Sequence, residues 1–281
     1  MEAAPAEAAP QPAPQLAVEL AVTALKAGWG HKVVVDDVSF AVEAGRMTAL
    51  IGPNGSGKST LLSAMARLLK PLGGAVHLDG RSIHHLPTRA LARDLGILPQ
   101  SPLVPEGLTV FDLVSRGRYP HQGFLSQWSE RDDAAVETAM RLTGTLDFAR
   151  TPVEALSGGQ RQRCWIAMAM AQETRVILLD EPTTFLDLRY QVEVLDLLHR
   201  LTREHGRTVV AVLHDLNMAL AYADTVLCLK DGRIRAKVED GAGLTPTQIA
   251  DLFGVEVVAV ENPRTGKPVF IPLAAVPEGR R

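Results

Sequence analysis

A glycine-rich segment decides more about the fold of this chain than any other part of its sequence. Residues 52–60 read Gly-Pro-Asn-Gly-Ser-Gly-Lys-Ser-Thr and match the pattern G-x-x-x-x-G-K-[ST]. The apolar residues 48–51 before it are predicted as a strand, and residues 58–69 have the apolar spacing of a helix. A strand, a loop and a helix in this order form the context that the pattern requires. The segment therefore predicts a phosphate-binding loop in an α/β fold.

The residue types in this loop fit a nucleotide. Glycines let the backbone turn its N–H groups inward, and the N-terminus of the next helix adds a favourable dipole. In such a loop Lys58 contacts the β- and γ-phosphates, and the Ser59 hydroxyl binds Mg²⁺. A glycine-rich turn that matches by chance is the alternative. The residues expected to bind the nucleotide are Pro53, Asn54, Gly55, Ser56, Gly57, Lys58, Ser59 and Thr60.

Two acidic residues follow a second apolar stretch. Residues 176–180 are predicted as a buried parallel strand, and ligands gather beyond the C-terminal ends of such strands. Asp180 is placed to hold Mg²⁺, directly or through water, and Glu181 to orient and deprotonate an attacking water. A solvated acidic strand end is the alternative, which the neighbouring phosphate loop disfavours.

Residues 156–160, Leu-Ser-Gly-Gly-Gln, predict a second anion site. Ser157, Gly158, Gly159 and Gln160 stand at the start of a predicted helix, where a hydroxyl, backbone N–H groups and the helix dipole point to one place. One nucleotide cannot use this site if the first loop already holds it from the other side. We therefore expect a dimer in which each second site closes over the partner's nucleotide. The alternative is a serine N-cap followed by a flexible glycine pair.

Composition and charge exclude several classes of protein. The 281 residues include 29 Lys and Arg against 32 Asp and Glu, a net charge of −3, which argues against a nucleic-acid binder. The longest apolar run, residues 164–171, is far shorter than the ~20 residues that a membrane-spanning helix needs. Cys164 and Cys228 have no partner at metal-ligand spacing, so a reduced cytosolic compartment fits.

Helices and strands alternate along most of the chain, which is typical of a parallel or mixed sheet with helices on both faces. Residues 1–15, rich in Ala, Pro and Glu, are predicted to be a disordered tail. Residues 109–143 have a helical pattern that indicates an insertion. The other predicted strands are residues 16–24, 37–42, 75–78, 96–98, 208–213, 225–229, 255–260 and 268–271. The other predicted helices are residues 160–172, 189–205 and 216–223, and one short helix between residue 245 and the strand at 255–260.

Together these segments resemble the ATP-binding subunit of an ABC transporter. The resemblance rests on the order of the phosphate loop, Gln100, residues 156–160, Asp180-Glu181 and His214, and it covers about residues 16–273. It implies an α/β fold: a P-loop NTPase (RecA-like) core with an antiparallel β subdomain and a helical insertion subdomain over about residues 102–172. Residues 274–281 would be a C-terminal tail. The implied reaction is the hydrolysis of ATP with Mg²⁺.

The resemblance also assigns roles to residues outside the loop and the acidic pair. Gln100 resembles the glutamine that touches Mg²⁺ and reports to the membrane subunits, and His214 resembles the histidine that contacts the γ-phosphate. Asp187 resembles an aspartate that meets the partner subunit, although an N-cap is its alternative. Trp29 stands where the family usually has an adenine-stacking tyrosine, and packing in the core is its alternative. A polar strand end and a structural histidine are the alternatives for Gln100 and His214.

Within the family, residues 115–122, 182–187 and 262–268 resemble ferric-siderophore and cobalamin importers, with the iron–siderophore group nearest. This implies a homodimer of ATPase subunits at the cytoplasmic face of the membrane, bound to separate permease subunits and linked indirectly to a substrate-binding protein. Residues 116–121 are expected to expose Arg, Tyr and His as a dock for the permease, or to be a solvated loop. A cobalamin or haem importer, a soluble ABC ATPase and a lone P-loop kinase or GTPase are the alternative functions.

Overall fold

The structure is a computed structural model that describes residues 18–100, 106–123, 128–241, 243–263 and 265–276. The predicted tail at residues 1–15 lies outside these residues. The strands are β1 Val18–Trp29, β2 Lys32–Glu43, β3 Met47–Ile51, β4 Gly73–Leu78, β5 Arg81–Ser82, β6 Leu95–Leu98, β7 Val176–Asp180, β8 Thr208–Val212, β9 Thr225–Lys230, β10 Arg233–Glu239, β11 Val255–Glu261 and β12 Pro268–Ala275. The helices are α1 Lys58–Met65, α2 Thr88–Asp94, α3 Val110–Ser115, α4 Glu130–Leu142, α5 Gly158–Ala171, α6 Leu188–His205, α7 Leu216–Tyr222 and α8 Pro246–Phe253.

The central sheet brings the C-terminal ends of β3, β8, β7 and β6 to one edge. Its order is β10-β9-β3-β8-β7-β6, with β10 antiparallel to β9 and the other five strands parallel. Both β3 and β8 are buried along their whole length, as expected for strands covered by helices on both faces. The segments that follow β3, β8, β7 and β6 therefore leave from the same edge of the sheet.

A four-stranded antiparallel sheet, β2-β1-β4-β5, shares a core with the central sheet through α1. Leu61 and Leu62 of α1 are fully buried in one cluster with Leu20 of β1 and Leu178 of β7. Each fully buried leucine contributes about 1.5–3 kcal/mol. The helix ends at Met65, four residues before the predicted end, because Arg67 has a left-handed φ of 59° that a continuing helix cannot contain.

The first two strands are longer than predicted. The sequence pattern breaks near Ala24 and Asp37, which have φ values of 43° and 56°, and the register between β1 and β2 shifts there. The strands continue beyond these irregularities to the turn after Trp29. Three elements had no prediction: α2, β5 and β10. Helix α2 and strand β10 each bury a single residue, Leu91 and Val238 respectively, and the two-residue strand β5 buries none, so none of them has a strong apolar pattern.

Helices α3, α4 and α5 pack together inside the predicted helical insertion. Arg118, in the 3₁₀ turn after α3, is 1% exposed and donates to Asp132 Oδ1 at 2.8 Å, to Glu173 Oε2 at 2.8 Å and to the Ala171 carbonyl at 2.7 Å. The expectation that the arginines of residues 116–121 are exposed is therefore wrong for Arg118. Tyr119, which is 60% exposed, is the protruding side chain of this segment.

The C-terminal part consists of α8 and the β11–β12 hairpin. Asn217 of α7 holds the hairpin by donating to the Phe270 carbonyl and accepting from the Phe270 N–H. Strand β12 runs to Ala275, two residues into the predicted tail of residues 274–281. Within the described residues, no helix combines the length and the apolar character needed to cross a bilayer.

Candidate active site

The loop after β3 has the backbone that a phosphate cradle needs. Gly52 and Gly57 have φ values of 152° and 102°, and a Cβ on Gly52 would lie 2.0 Å from the Leu229 carbonyl oxygen. A side chain there is sterically excluded. Lys58 Nζ donates to the carbonyls of Gly52 at 2.8 Å and Pro53 at 3.0 Å, so the ammonium lies inside the loop. Burial lowers the pKa of Lys58, against the attraction of Glu181 and Asp180.

The start of α1 meets the end of β7. The Ser59 hydroxyl donates to Asp180 Oδ1 at 3.0 Å. Burial raises the pKa of Asp180 in spite of this hydrogen bond, and the neighbouring Glu181 carboxylate raises it further. The result is a pair of neighbouring oxygen atoms at the base of the phosphate loop.

Such hard oxygen atoms are of the kind that binds Mg²⁺. No cluster of three or more His, Cys, Asp or Glu residues able to hold a metal occurs in the described part of the chain. Mg²⁺ does not require one, because it is usually bound by one or two carboxylates together with substrate phosphates and water. Ser59 and Asp180 supply such a partial set.

Three side chains donate hydrogen bonds to the carboxylate of Glu181. Its Oε2 accepts hydrogen bonds from Gln100 Nε2, from Thr184 Oγ1 at 3.1 Å and from His214 Nε2 at 2.8 Å. Its φ of 54° is left-handed, which is uncommon for a residue with a side chain. Burial acts to raise the pKa of Glu181, but the hydrogen bonds from His214, Thr184 and Gln100 together hold it below its ordinary value. The carboxylate is therefore held ionised.

A cleft of about 490 Å³ opens above these groups. Gln100, Glu181 and His214, which the sequence predicted, all line it. Val34 of β2 was not predicted, because nothing near it in the sequence indicates that the antiparallel sheet forms one wall. The complete lining is Val34, Asn54, Gly55, Gly57, Lys58, Ser59, Thr60, Gln100, Glu181 and His214.

Trp29 is the last residue of β1 and lies next to the turn that leads to β2. Its side chain is 60% exposed, so the alternative that it packs in the core is wrong. The ring is not part of the cleft lining. Stacking on adenine remains a prediction.

The Leu-Ser-Gly-Gly-Gln segment forms the N-terminus of α5 and stands apart from the cleft. Ser157 Oγ accepts from the Gln160 N–H at 3.3 Å, and Gln160 Oε1 accepts from the Ser157 N–H at 3.0 Å, so the serine N-cap is present. A Cβ on Gly159 would lie 2.6 Å from the Tyr190 ring, so this glycine lets α5 approach α6. Gly158 has open space around it. None of these residues lines the cleft that holds the phosphate loop.

The loop between β7 and α6 is exposed at Phe185 and Asp187, next to the start of α6. Asp187 caps α6 by accepting from the Tyr190 N–H at 3.1 Å, which is the alternative role that the sequence left open. Phe185 is 92% exposed and Leu188 is 68% exposed. Two apolar side chains therefore project into solvent on either side of Asp187.

The family model described as "ABC transporter" matches residues 35–184 of this chain. The "Achromobactin transport ATP-binding protein CbrD" of Dickeya dadantii is 51% identical, over 88% of this chain and 92% of its own length. The "Probable siderophore transport system ATP-binding protein YusV" of Bacillus subtilis is 49% identical, over 88% and 90%. The "Ferric enterobactin transport ATP-binding protein FepC" of Escherichia coli is 45% identical, over 89% and 92%.

Solved structures confirm the predicted fold. A chain described as a metal-chelate type ABC transporter in an inward-facing conformation superposes with a TM-score of 0.78 and 29% identity, over 91% of this chain and 97% of that one. The dimeric bacterial ABC transporter cassette MJ0796 gives a TM-score of 0.70 and 28% identity, over 80% of this chain and 100% of that one.

Proposed function

This chain belongs to the ABC transporter family, and from that premise we propose that it is the ATP-hydrolysing subunit of an importer for iron–siderophore-type chelates. The chelate would cross the membrane through separate permease subunits, and the chain would sit at the cytoplasmic face. The observation that carries the proposal is that Lys58, Ser59 and Glu181 line one cleft and that Asp180 accepts a hydrogen bond from Ser59 at its base. This is the set of groups that binds and hydrolyses a nucleoside triphosphate.

Nucleotide binding is assigned to the loop after β3. Residues Pro53 to Thr60 would wrap the phosphates, with the Lys58 ammonium moving from its loop carbonyls to the β- and γ-phosphates. Ser59, Asp180 and Gln100 would hold Mg²⁺, which supplies charge neutralisation on the phosphates when bound. Trp29, exposed at the end of β1, is free to stack on the adenine.

Hydrolysis is assigned to Glu181 as the general base. Its depressed pKa keeps the carboxylate ready to accept a proton from water. His214 would hold the γ-phosphate, and most of the remaining catalysis is positioning and charge neutralisation. Gln100 links the base to the helical part of the chain, where the permease would bind.

Family cassettes act as dimers, and we propose a head-to-tail homodimer here. In it, Ser157, Gly158, Gly159 and Gln160 would close over the partner's nucleotide, with Asp187 at the contact. Two features support this arrangement. The Ser157 segment lies outside the cleft of its own chain, and Phe185 and Leu188 present apolar surface beside Asp187.

The cargo is inferred from the relatives' names, because an ATPase subunit need not contact the cargo. Achromobactin, ferric enterobactin and iron(3+)-hydroxamate appear in the names of relatives that are 45–51% identical. Cobalamin or haem is the second candidate, and a substrate-binding protein would deliver either one. A soluble ABC ATPase without a permease is a third.

Deletion of the gene tests the cargo. Cells would be supplied separately with a radiolabelled ferric hydroxamate, a ferric catecholate, cobalamin and haem. We expect uptake of an iron–siderophore chelate to fall, and to return with the wild-type gene but not with Glu181→Gln. Loss of cobalamin or haem uptake alone would establish the second candidate. Unchanged uptake of all four would contradict transport of this class of cargo.

A further inference from the structure

Three hydrogen-bond donors converge on one oxygen of the proposed base. Gln100 Nε2, His214 Nε2 and Thr184 Oγ1 all contact Glu181 Oε2. The other oxygen, Oε1, accepts none of the hydrogen bonds found among the described residues. The carboxylate is thus asymmetric: one oxygen is held and one is available.

Two of the three donors have other tasks. In the proposed function, which this inference rests on, Gln100 moves to Mg²⁺ and His214 to the γ-phosphate when the nucleotide binds. Both side chains are exposed at the cleft and reach Glu181 from other strand ends. Neither side chain would therefore hold Oε2 during the reaction.

Thr184 is different because it moves with the glutamate. The Thr184 N–H donates to the Glu181 carbonyl at 3.2 Å, which closes a four-residue turn with Pro182 at its second position. Proline is favoured at the second position of such turns, because its ring fixes φ near the value that the turn requires. The turn returns the Thr184 hydroxyl to the carboxylate of its first residue, 3.1 Å from Oε2. This contact needs no other element of the fold.

We propose that Thr184 is a positioning residue for hydrolysis: its hydroxyl holds Oε2 of Glu181, so that Oε1 is the atom that takes the proton. Water gives a proton to Oε1, and its oxygen bonds to the γ-phosphorus. The bond from that phosphorus to the bridging oxygen breaks, and its electron pair leaves with ADP. A fixed Oε2 limits carboxylate rotation and keeps Oε1 directed at the water.

The test compares Thr184→Val, which keeps the side-chain shape but removes the hydroxyl, with Thr184→Ser, which retains it. Steady-state ATPase activity gives kcat and KM for each. We expect Thr184→Val to lower kcat about tenfold, the effect of losing one hydrogen bond to a charged group, with KM for ATP within about twofold of wild type. Thr184→Ser should restore most of kcat.

A second measurement separates positioning from a general structural role. In the Glu181→Gln background, where the carboxylate is gone, Thr184→Val should leave the residual single-turnover rate unchanged. The proposal is overturned if Thr184→Val keeps the wild-type kcat, if Thr184→Ser falls as far as Thr184→Val, or if the loss persists in the Glu181→Gln background. Wild-type turnover by Glu181→Gln alone would instead overturn the base assignment in the proposed function.

Discussion

Ser59 Oγ lies 3.0 Å from Asp180 Oδ1, although 121 positions separate the two residues in the sequence. One follows β3 and the other ends β7, and β8 lies between these strands. The parallel sheet thus brings a hydroxyl and a carboxylate to one point. Since this pair would hold Mg²⁺, the loss of one of its members should change the Mg²⁺ dependence of the ATPase activity.

Asp180→Asn removes the charge and keeps the shape. We expect the Mg²⁺ concentration for half-maximal ATPase activity to rise about tenfold or more. Even the mutation of a residue that only hydrogen-bonds to a metal ligand lowers metal affinity by that much. Titration of Mg²⁺ at saturating ATP measures it. Asp231→Asn is the matched control, because Asp231 is exposed and its φ of 51° suits asparagine. Equal Mg²⁺ dependence in wild type and Asp180→Asn would contradict the assignment.

Trp29→Ala tests adenine stacking. Stacking of a base on an aromatic ring is worth about 1–3 kcal/mol in nucleic-acid binders, so the Kd for ATP should rise by about fivefold or more. Trp29→Tyr should retain most of the affinity. Because Trp29 is 60% exposed, neither variant should change the unfolding free energy much. An unchanged Kd in Trp29→Ala, measured by calorimetry, would show that the ring does not bind the base.

Ser157→Arg tests the action of the second site on a partner chain. A bulky cation at the start of α5 should abolish hydrolysis, while the ATP affinity of the monomer stays nearly unchanged. The change also removes an N-cap, at about 1 kcal/mol. Thr245→Arg is the matched control, because Thr245 and Gln248 form the same capping box on α8. Weaker ATP binding by the isolated Ser157→Arg monomer would contradict a site that acts in trans.

Asp132→Asn tests the buried ion pair with Arg118. Burial acts to raise the pKa of Asp132, but hydrogen bonds from Ser129 and Arg118 hold it below its ordinary 3.8. A lowered native pKa stabilises the fold fully above about the ordinary value, and this stabilisation is lost as pH falls through the native one. Removing one partner should cost about 3 kcal/mol at neutral pH.

The pH dependence provides the check for this pair. Urea unfolding of wild type and Asp132→Asn should give a difference that is largest near pH 7 and shrinks below the ordinary pKa of 3.8. Asp147→Asn, at an exposed position, should differ little from wild type at any pH. A difference between wild type and Asp132→Asn that stays constant down to pH 3 would contradict a stabilising role of the ionised carboxylate.

The residues of the cleft were largely predictable because they belong to short local patterns. The phosphate loop and the acidic pair each follow an apolar run, and parallel strands end at one edge of a sheet. Val34 and Arg118 show what such patterns lack. Val34 reaches the cleft from a different sheet, and Arg118 is buried because Asp132 and Glu173 approach it from distant parts of the chain. Contacts of this kind depend on packing between elements.

The predicted boundaries of several elements were wrong for a related reason. Positive φ values at Ala24 and Arg67 interrupt a strand and end a helix at residue types that seldom adopt them, and Asp37 interrupts β2 with a similar backbone conformation. The surrounding structure imposes these conformations. Thr184 is an intermediate case, since Pro182 predicts the turn but not the hydrogen bond to Glu181.

Glu181→Gln gives the most direct test of the central claim, that this cleft hydrolyses ATP in a closed dimer. The measurement is size-exclusion chromatography of the purified variant with MgATP, with phosphate release followed on the same sample. The account predicts that the variant binds ATP and elutes at the mass of two chains. Its rate of phosphate release should be at least about a hundredfold lower than that of wild type, as expected on losing a general base. A variant that turns over at the wild-type rate, or that stays monomeric with ATP bound, would contradict it.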